Sequence, residues 1–412
     1  MELMRVIIIA VYAVTTAFGF FLAFLTYSRR NAPLPGNVQD VFDEASYKKN
    51  QAYKMENLRF STIGGIIGMV VSLFILIFNV HARLFDWIGG HTENVYLTSL
   101  FILGVPILVG ALIDQMLSIY DTFVIEEKYG FNKTTKKTFI IDFIKNLLIG
   151  TILGGGLLTL FLLMYNWLGQ WVFLVFFFVL LVLQLFMRFI SPLMIRIFYK
   201  LTPLEDGSLK DKIQAMAEKT GYTFKGIYMV DASKRSTKLN AFAAGYGKTK
   251  TIGLFDTLVE KMTEDEVISV LAHEIGHAKR GHILKSAPLS FLIMAIALGA
   301  AFFIVTMPEV AMAFGFAEAN VAFGIYVLFI LLAPLMVVLG IPSSALSRKY
   351  EYEADEFSRE LAGADVAISA LKTLYRESFG NLTPHPLVVK LEYSHPPLTD
   401  RVAAIEKNEQ AK

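Results

Sequence analysis

The chain of 412 residues contains no cysteine, so no disulfide staples it and no thiolate can bind a metal. A zinc ion held here would need histidine and carboxylate ligands. Histidine itself is scarce, with seven in the whole chain. Charge is thin too: charged residues make up 18%, the net charge is +2, and no Lys/Arg block is dense enough to track a phosphate backbone. No nucleic-acid partner is expected. No internal repeat and no low-complexity tract is present. What takes the place of charge is apolar surface, with 55% hydrophobic residues and a mean hydropathy of +0.52, values outside the range of soluble proteins. The implied partner is a lipid bilayer.

Runs long enough to cross one are Val6 to Leu25, Ser61 to Val80, Leu97 to Ile119, Asn146 to Tyr165, Gln170 to Phe189, Ser286 to Val305 and Val321 to Gly340. They predict seven transmembrane helices. The first is too long for a signal-peptide core and is followed by Arg29 and Arg30 in place of a cleavage site, so it reads as retained. Lys and Arg crowd the first connection (Arg29 to Arg59) and the third (Lys128 to Lys145), and are absent from Asn166 to Gly169 and Pro308 to Asn320. Positive residues favour the cytoplasm, which puts the N-terminus outside. The expected organisation is a membrane part with five helices at 1–190, a cytoplasmic piece at 191–285, a transmembrane hairpin at 286–345 and a second cytoplasmic piece at 346–412.

Within the first cytoplasmic piece, Leu209 to Thr220 reads as an amphipathic helix, Gly226 to Val230 and Thr251 to Leu254 as strands, and Phe255 to Lys261 as helical. This predicts a small α+β unit split by the last two spans. Asn31 to Glu44 and the tail after Ile405 read as linkers. Gly64/Gly68 and Gly150/Gly154 have the spacing of close helix packing. Asp114 lies inside the third span, where a carboxylate is costly unless it faces a partner or water.

The chemistry concentrates in Thr263 to His282, where His273, Glu274 and His277 spell H-E-x-x-H. On a helix the two imidazoles share one face and can grip one ion, and Glu274 beside them is placed to polarise water at that metal. Thr263 with Glu266 makes a capping box, and Glu264, Asp265 and Glu266 suit the dipole of the first turn, so the helix begins at Thr263. Two histidines under-coordinate zinc. The metzincin solution is excluded, because Arg280 and Ile283 stand where it needs Gly and His. His282 on a continuous helix would point to the opposite side, which suits a structural role. The other source is a second helix: in Ser347 to Asp355, Glu351 and Asp355 share a face while Glu353 points elsewhere, and spacing leaves Glu351 and Asp355 both open as ligands.

H-E-I-G-H followed after a two-span hairpin by Glu351-Tyr352-Glu353-Ala354-Asp355, with Tyr393-Ser394-His395-Pro396-Pro397, Lys238-Leu239-Asn240-Ala241-Phe242 and Glu127-Lys128-Tyr129-Gly130-Phe131-Asn132-Lys133, resembles the type I CAAX prenyl proteases. The resemblance covers nearly the whole chain. It implies a mainly α, seven-span membrane protein with a cytoplasmic zincin-like (gluzincin) α+β metalloprotease domain and one Zn2+ per chain. It further implies His273, His277 and Glu351 as zinc ligands, Asp355 and Arg401 in support, Glu274 and His395 as catalytic groups, and Asn240 in contact with the substrate. The expected substrate is a peptide or protein, lipid-anchored or membrane-embedded, because the zinc must sit within about 14 Å of helix from span six. The short connection Pro308 to Asn320 and the ending Asn408 to Lys412, which is no endoplasmic-reticulum retrieval signal, point to a bacterial relative in an inner membrane rather than the endoplasmic reticulum. A quality-control protease for non-prenylated membrane proteins and an inactive membrane scaffold are the alternative readings.

Overall fold

The computed structural model describes residues 1–245 and 250–410, and of positions 188, 189, 191 and 192 the backbone alone. Helix α1 spans Glu2–Ser28 and α2 spans Glu44–Ile77; Asn79, left-handed at φ 51°, then turns the chain into the short α3, Val80–Gly89. Helix α4, Val95–Tyr120, continues through a π-helical turn at Asp121–Glu126 into α5, Glu127–Tyr129. Helices α6 (Lys136–Gly150) and α7 (Gly156–Leu168) form one rod around a second π-helical turn, and α8 follows at Val172–Phe198. Between α7 and α8 the chain folds back at Gly169, whose φ of 54° only glycine adopts freely. Phe161 packs on Phe173 and Phe176 with ring centres 5.5 and 5.1 Å apart. A straight helix would separate positions 161 and 176 by about 22 Å. Short polar side chains set the starts: Asp43 accepts from the Ser46 amide at 2.7 Å, and Asn94 from those of Tyr96 and Leu97.

The expected strand Gly226–Val230 is present as β2 and the second as β4, Thr251–Phe255. Two further strands carry no sequence signal, β1 (Leu201–Pro203) and β3 (Ala241–Ala244), being too short to show alternation. The sheet order is β1-β2-β4-β3, with β2 parallel to β4 and the outer strands antiparallel. Among the described residues strand β3 pairs only with β4, which leaves its outer edge open there. Helices α9 (Ser208–Thr220), α10 (Asp256–Lys261) and α11 (Glu264–Lys279) complete this piece. Ile213, Ile252 and Leu254 bury against Leu271 and Ile275 of α11.

The remaining helices are α12 (His282–Ile304), α13 (Pro308–Met312), α14 (Val321–Ala362), α15 (Ala364–Glu377), α16 (Pro386–Glu392) and α17 (Leu398–Gln410). Helix α14 carries the last apolar run and the E-Y-E-A-D stretch as one 42-residue rod, with Pro334 and Pro342 inside it. Among the described residues, uninterrupted stretches long and apolar enough to cross a membrane number six, not the seven expected, because Lys136–Met187 holds both legs of the reversal at Gly169.

The stretch Asn31 to Glu44 is packed, whereas the tail after Ile405 is helical but exposed. Val38, Val41 and Phe42 bury against Leu398, Val402 and Ile405 of α17, and α17 continues to Gln410; Ala411 and Lys412 lie outside the described residues. Apolar side chains hidden on one face of an otherwise polar segment are what the linker reading overlooked. The glycine pairs also differ from expectation. A side chain at Gly68, Gly150 or Gly154 would meet nothing within 4 Å, whereas one at Gly64 would touch Leu117 at 3.4 Å.

The apolar helices form a circuit in which α1 touches α2 and α14, α14 touches α12, α12 touches α8, α8 touches α7, α7 touches α4, and α4 touches α2. Their apolar windows are only 6% to 33% buried against one another. Ile8, Leu76, Ile102, Phe314 and Phe323 pin the circuit at one end. Helix α11 lies at the other, some 28 residues or about 42 Å further along α14. Asp114 is exposed on α4.

Candidate active site

Helix α11 starts as its sequence dictates. Glu266 accepts from the Thr263 amide at 2.9 Å, and its other oxygen takes bonds from Ser369 and Thr373, so the cap also ties α11 to α15. Helices α11 and α14 then cross at Gly276. A Cβ at that position would stand 3.1 Å from Phe357 Cβ and 3.3 Å from Ala354 Cα. Only glycine admits this approach, and Ser269 and Ser358 bond across it at 2.8 Å.

That closeness brings the Nε2 atoms of His273 and His277 to 3.1 Å from each other, with Glu351 Oε2 3.4 Å from the first and Oε1 3.3 Å from the second. Around a tetrahedral zinc with ligand bonds of 2.0–2.1 Å, neighbouring donor atoms stand about 3.3 Å apart. The three donors lie within 4.8 Å of one another, and buried Glu351 Oε2 has no hydrogen-bond partner among the described residues. Burial opposes an imidazolium at His273, yet Asp355 and Glu351 outweigh it and raise the ring to about 9. A cluster that draws a proton so strongly suits a cation, and the residues fit a divalent metal.

The two candidate carboxylates separate by position. Asp355 takes His273 Nδ1 at 2.9 Å and is itself gripped by Arg401, from Nε at 2.7 Å and Nη2 at 2.6 Å, which leaves Glu351 as the carboxylate facing both Nε2 atoms. His395 puts its Nε2 3.3 Å from Glu351 Oε1, with its Nδ1 hydrogen-bonded to Ser394. A cavity of about 260 Å3 is lined by His273, Glu274, Glu351, Asp355, His395 and Arg401, with Asn240 at its rim and Tyr375 in its wall. Burial pushes the Glu274 carboxyl above its ordinary value, offset in part by the two imidazoles, and partial loss of water around the otherwise exposed His395 ring lowers it. Asn240 immediately precedes β3 and accepts the Phe255 amide on its carbonyl at 3.2 Å.

All eight residues singled out in the sequence therefore meet at one place. His282 departs from expectation: α11 ends at Lys279, Gly281 adopts φ 67°, and His282 opens α12 with its Nδ1 2.9 Å from His277 Nδ1. Tyr375 and Glu353 were not singled out for the site; both owe their place to tertiary packing.

A loosely packed helical membrane body joined to a His-Glu-x-x-His helix and a carboxylate from the following helix defines an integral-membrane metallopeptidase. The models of the CAAX prenyl protease N-terminal region, described as five membrane helices, and of peptidase family M48 match residues 23–200 and 203–409. CAAX prenyl protease 1 of Saccharomyces cerevisiae is 30% identical, covering 94% of this chain and 92% of that protein. The probable CAAX prenyl protease 1 of Schizosaccharomyces pombe is 33% identical, over 92% and 83%. The crystal structure of S. mikatae Ste24p superposes with a TM-score of 0.93 at 30% identity, covering 98% of this chain and 99% of that one. The chain belongs to peptidase family M48, among the type I CAAX prenyl proteases. It is a multi-pass membrane metalloendopeptidase.

Proposed function

We propose that this protein is a zinc endopeptidase that trims lipid-anchored CAAX-type proteins at the cytoplasmic face of its membrane, with His273, His277 and Glu351 as ligands. The carrying observation is the buried Glu351 carboxylate, whose Oε2 stands 3.4 Å from His273 Nε2 and whose Oε1 stands 3.3 Å from His277 Nε2, close to the donor spacing of a tetrahedral site. When bound, zinc supplies Lewis acidity to water and to the scissile carbonyl. Glu274, with its carboxyl in the cavity wall, takes a proton from the attacking water and returns it to the leaving amine. His395 donates to the oxygen that gains negative charge. Asp355 and Arg401 hold the tautomer of His273. Asn240 leads the peptide onto the open edge of β3, where it adds as a strand.

The reversal at Gly169 supports counting seven spans, as does the five-helix description of the matching N-terminal region. The Lys/Arg bias supports an outside N-terminus and a division at 190, 285 and 345 between membrane and cytoplasmic pieces, bridged by continuous α14. Exposed Asp114 favours water in the space the helices surround. The short connection Pro308 to Asn320 favours a bacterial inner membrane. The test is metal content together with cleavage of farnesylated and unmodified CAAX peptides. One zinc per chain and cleavage abolished by Glu274→Gln are expected; undiminished turnover in that variant would remove the mechanism.

A further inference from the structure

His282 has both ring nitrogens committed. Its Nε2 lies 3.1 Å from Glu353 Oε2, and its Nδ1 lies 2.9 Å from His277 Nδ1. An ionised carboxylate can only accept, so a neutral His282 carries its proton on Nε2 and presents a bare Nδ1. His277 Nδ1 must then be the donor, and the nitrogen of His277 left with a free lone pair is Nε2. That is the atom 3.3 Å from Glu351 Oε1 and 3.1 Å from His273 Nε2, facing the ligand cluster.

The arrangement is built. Gly281, left-handed at φ 67°, breaks the helix after the motif and turns His282 back beneath His277. The His282 ring is 3% exposed and stacks on Tyr350, with centroids 4.2 Å apart and planes 7° from parallel. Tyr350, Glu351 and Glu353 belong to one turn of α14, so the helix that supplies the carboxylate of the cluster also fixes the second imidazole. The two histidines are steadied differently, His273 by Asp355 directly and His277 through an intervening imidazole.

We infer that His282, oriented by Glu353 and Tyr350, is a positioning residue that holds His277 in the Nδ1–H tautomer and so makes its Nε2 available to the metal. This rests on the metal site proposed above. The experiment uses the full-length protein, stripped with a chelator, and measures the zinc dissociation constant against a chromophoric competitor, alongside the thermal midpoint of the metal-free form. His282→Phe keeps a ring on Tyr350 but offers His277 no acceptor. The zinc dissociation constant should rise by roughly 10–100-fold, with the metal-free midpoint within a few degrees of wild type. His282→Asn restores an acceptor where Nδ1 stood, and should recover binding to within about fivefold of wild type. Should His282→Phe fail to fold, Glu353→Ala, which frees the His282 tautomer, is expected to weaken binding roughly 3–10-fold. Wild-type affinity in the Phe variant, or in Glu353→Ala where that stands in for it, overturns the inference, as does an Asn variant as weak as Phe. Wild type that binds no zinc at all would instead strike the site reading.

Discussion

Arg401 meets Asp355 with two parallel hydrogen bonds, 2.7 Å from Nε and 2.6 Å from Nη2, deep beside His273. Both residues are buried, so removing the guanidinium strands a carboxylate in low dielectric. Arg401→Ala should destabilise the fold by about 3–5 kcal/mol. Arg401→Lys keeps the charge but loses the planar fork, and should fall between the two in thermal unfolding and in zinc titration.

Gly276→Ala tests whether helix separation sets the site. Alanine favours a helix over glycine by up to about 1 kcal/mol, but here the new methyl meets the backbone and Cβ of α14. Overpacking of this kind costs about 1–3 kcal/mol. A net loss of stability is expected, with weaker zinc binding because Glu351 is carried away from the imidazoles; unchanged metal affinity would show that the approach at Gly276 is not what spaces the ligands.

Glu274 gives a pH signature. Burial raises its folded pKa above the unfolded one, so the folded state holds the proton more tightly and stability declines as pH rises from the unfolded value to the folded one. In the metal-free protein Glu274→Gln should match wild type in thermal midpoint below the ordinary glutamate range and exceed it once the pH has risen past the raised folded value.

For His395, which is 60% exposed at its side chain and only borders the donors, binding and turnover should separate. His395→Ala is expected to lower kcat by roughly 10²–10³-fold, as loss of one oxyanion donor does, while leaving zinc affinity close to wild type. A matching loss of metal would move His395 into the ligand set.

The site was legible in the sequence because its parts are local: H-E-x-x-H and E-Y-E-A-D each fit within about two helical turns, and side-chain spacing reports their faces directly. The apolar stretches were legible from length and hydropathy, though six uninterrupted ones stand where seven spans were expected. What spacing could not reveal was the choice between Glu351 and Asp355, which Arg401 decides from a distant helix. The break at Gly281 escaped notice because a lone glycine inside a helical pattern is usually tolerated. Strands β1 and β3 escaped because three or four residues carry no periodicity, and the buried face of Val38, Val41 and Phe42 exists only once α17 is docked.

Helix α14 carries a final consequence. As a continuous helix of 42 residues, about 63 Å, it joins the apolar Val321–Gly340 run to the carboxylate at Glu351, about 16 Å beyond. A tilt of roughly 5°, such as a thicker or thinner bilayer imposes on a spanning helix, sweeps that carboxylate by about 1.4 Å. Displacements of that size cost orders of magnitude in rate. Turnover is therefore expected to vary when the protein is reconstituted in lipids of graded acyl length, and a flat response would show that α14 does not pass its tilt to the site.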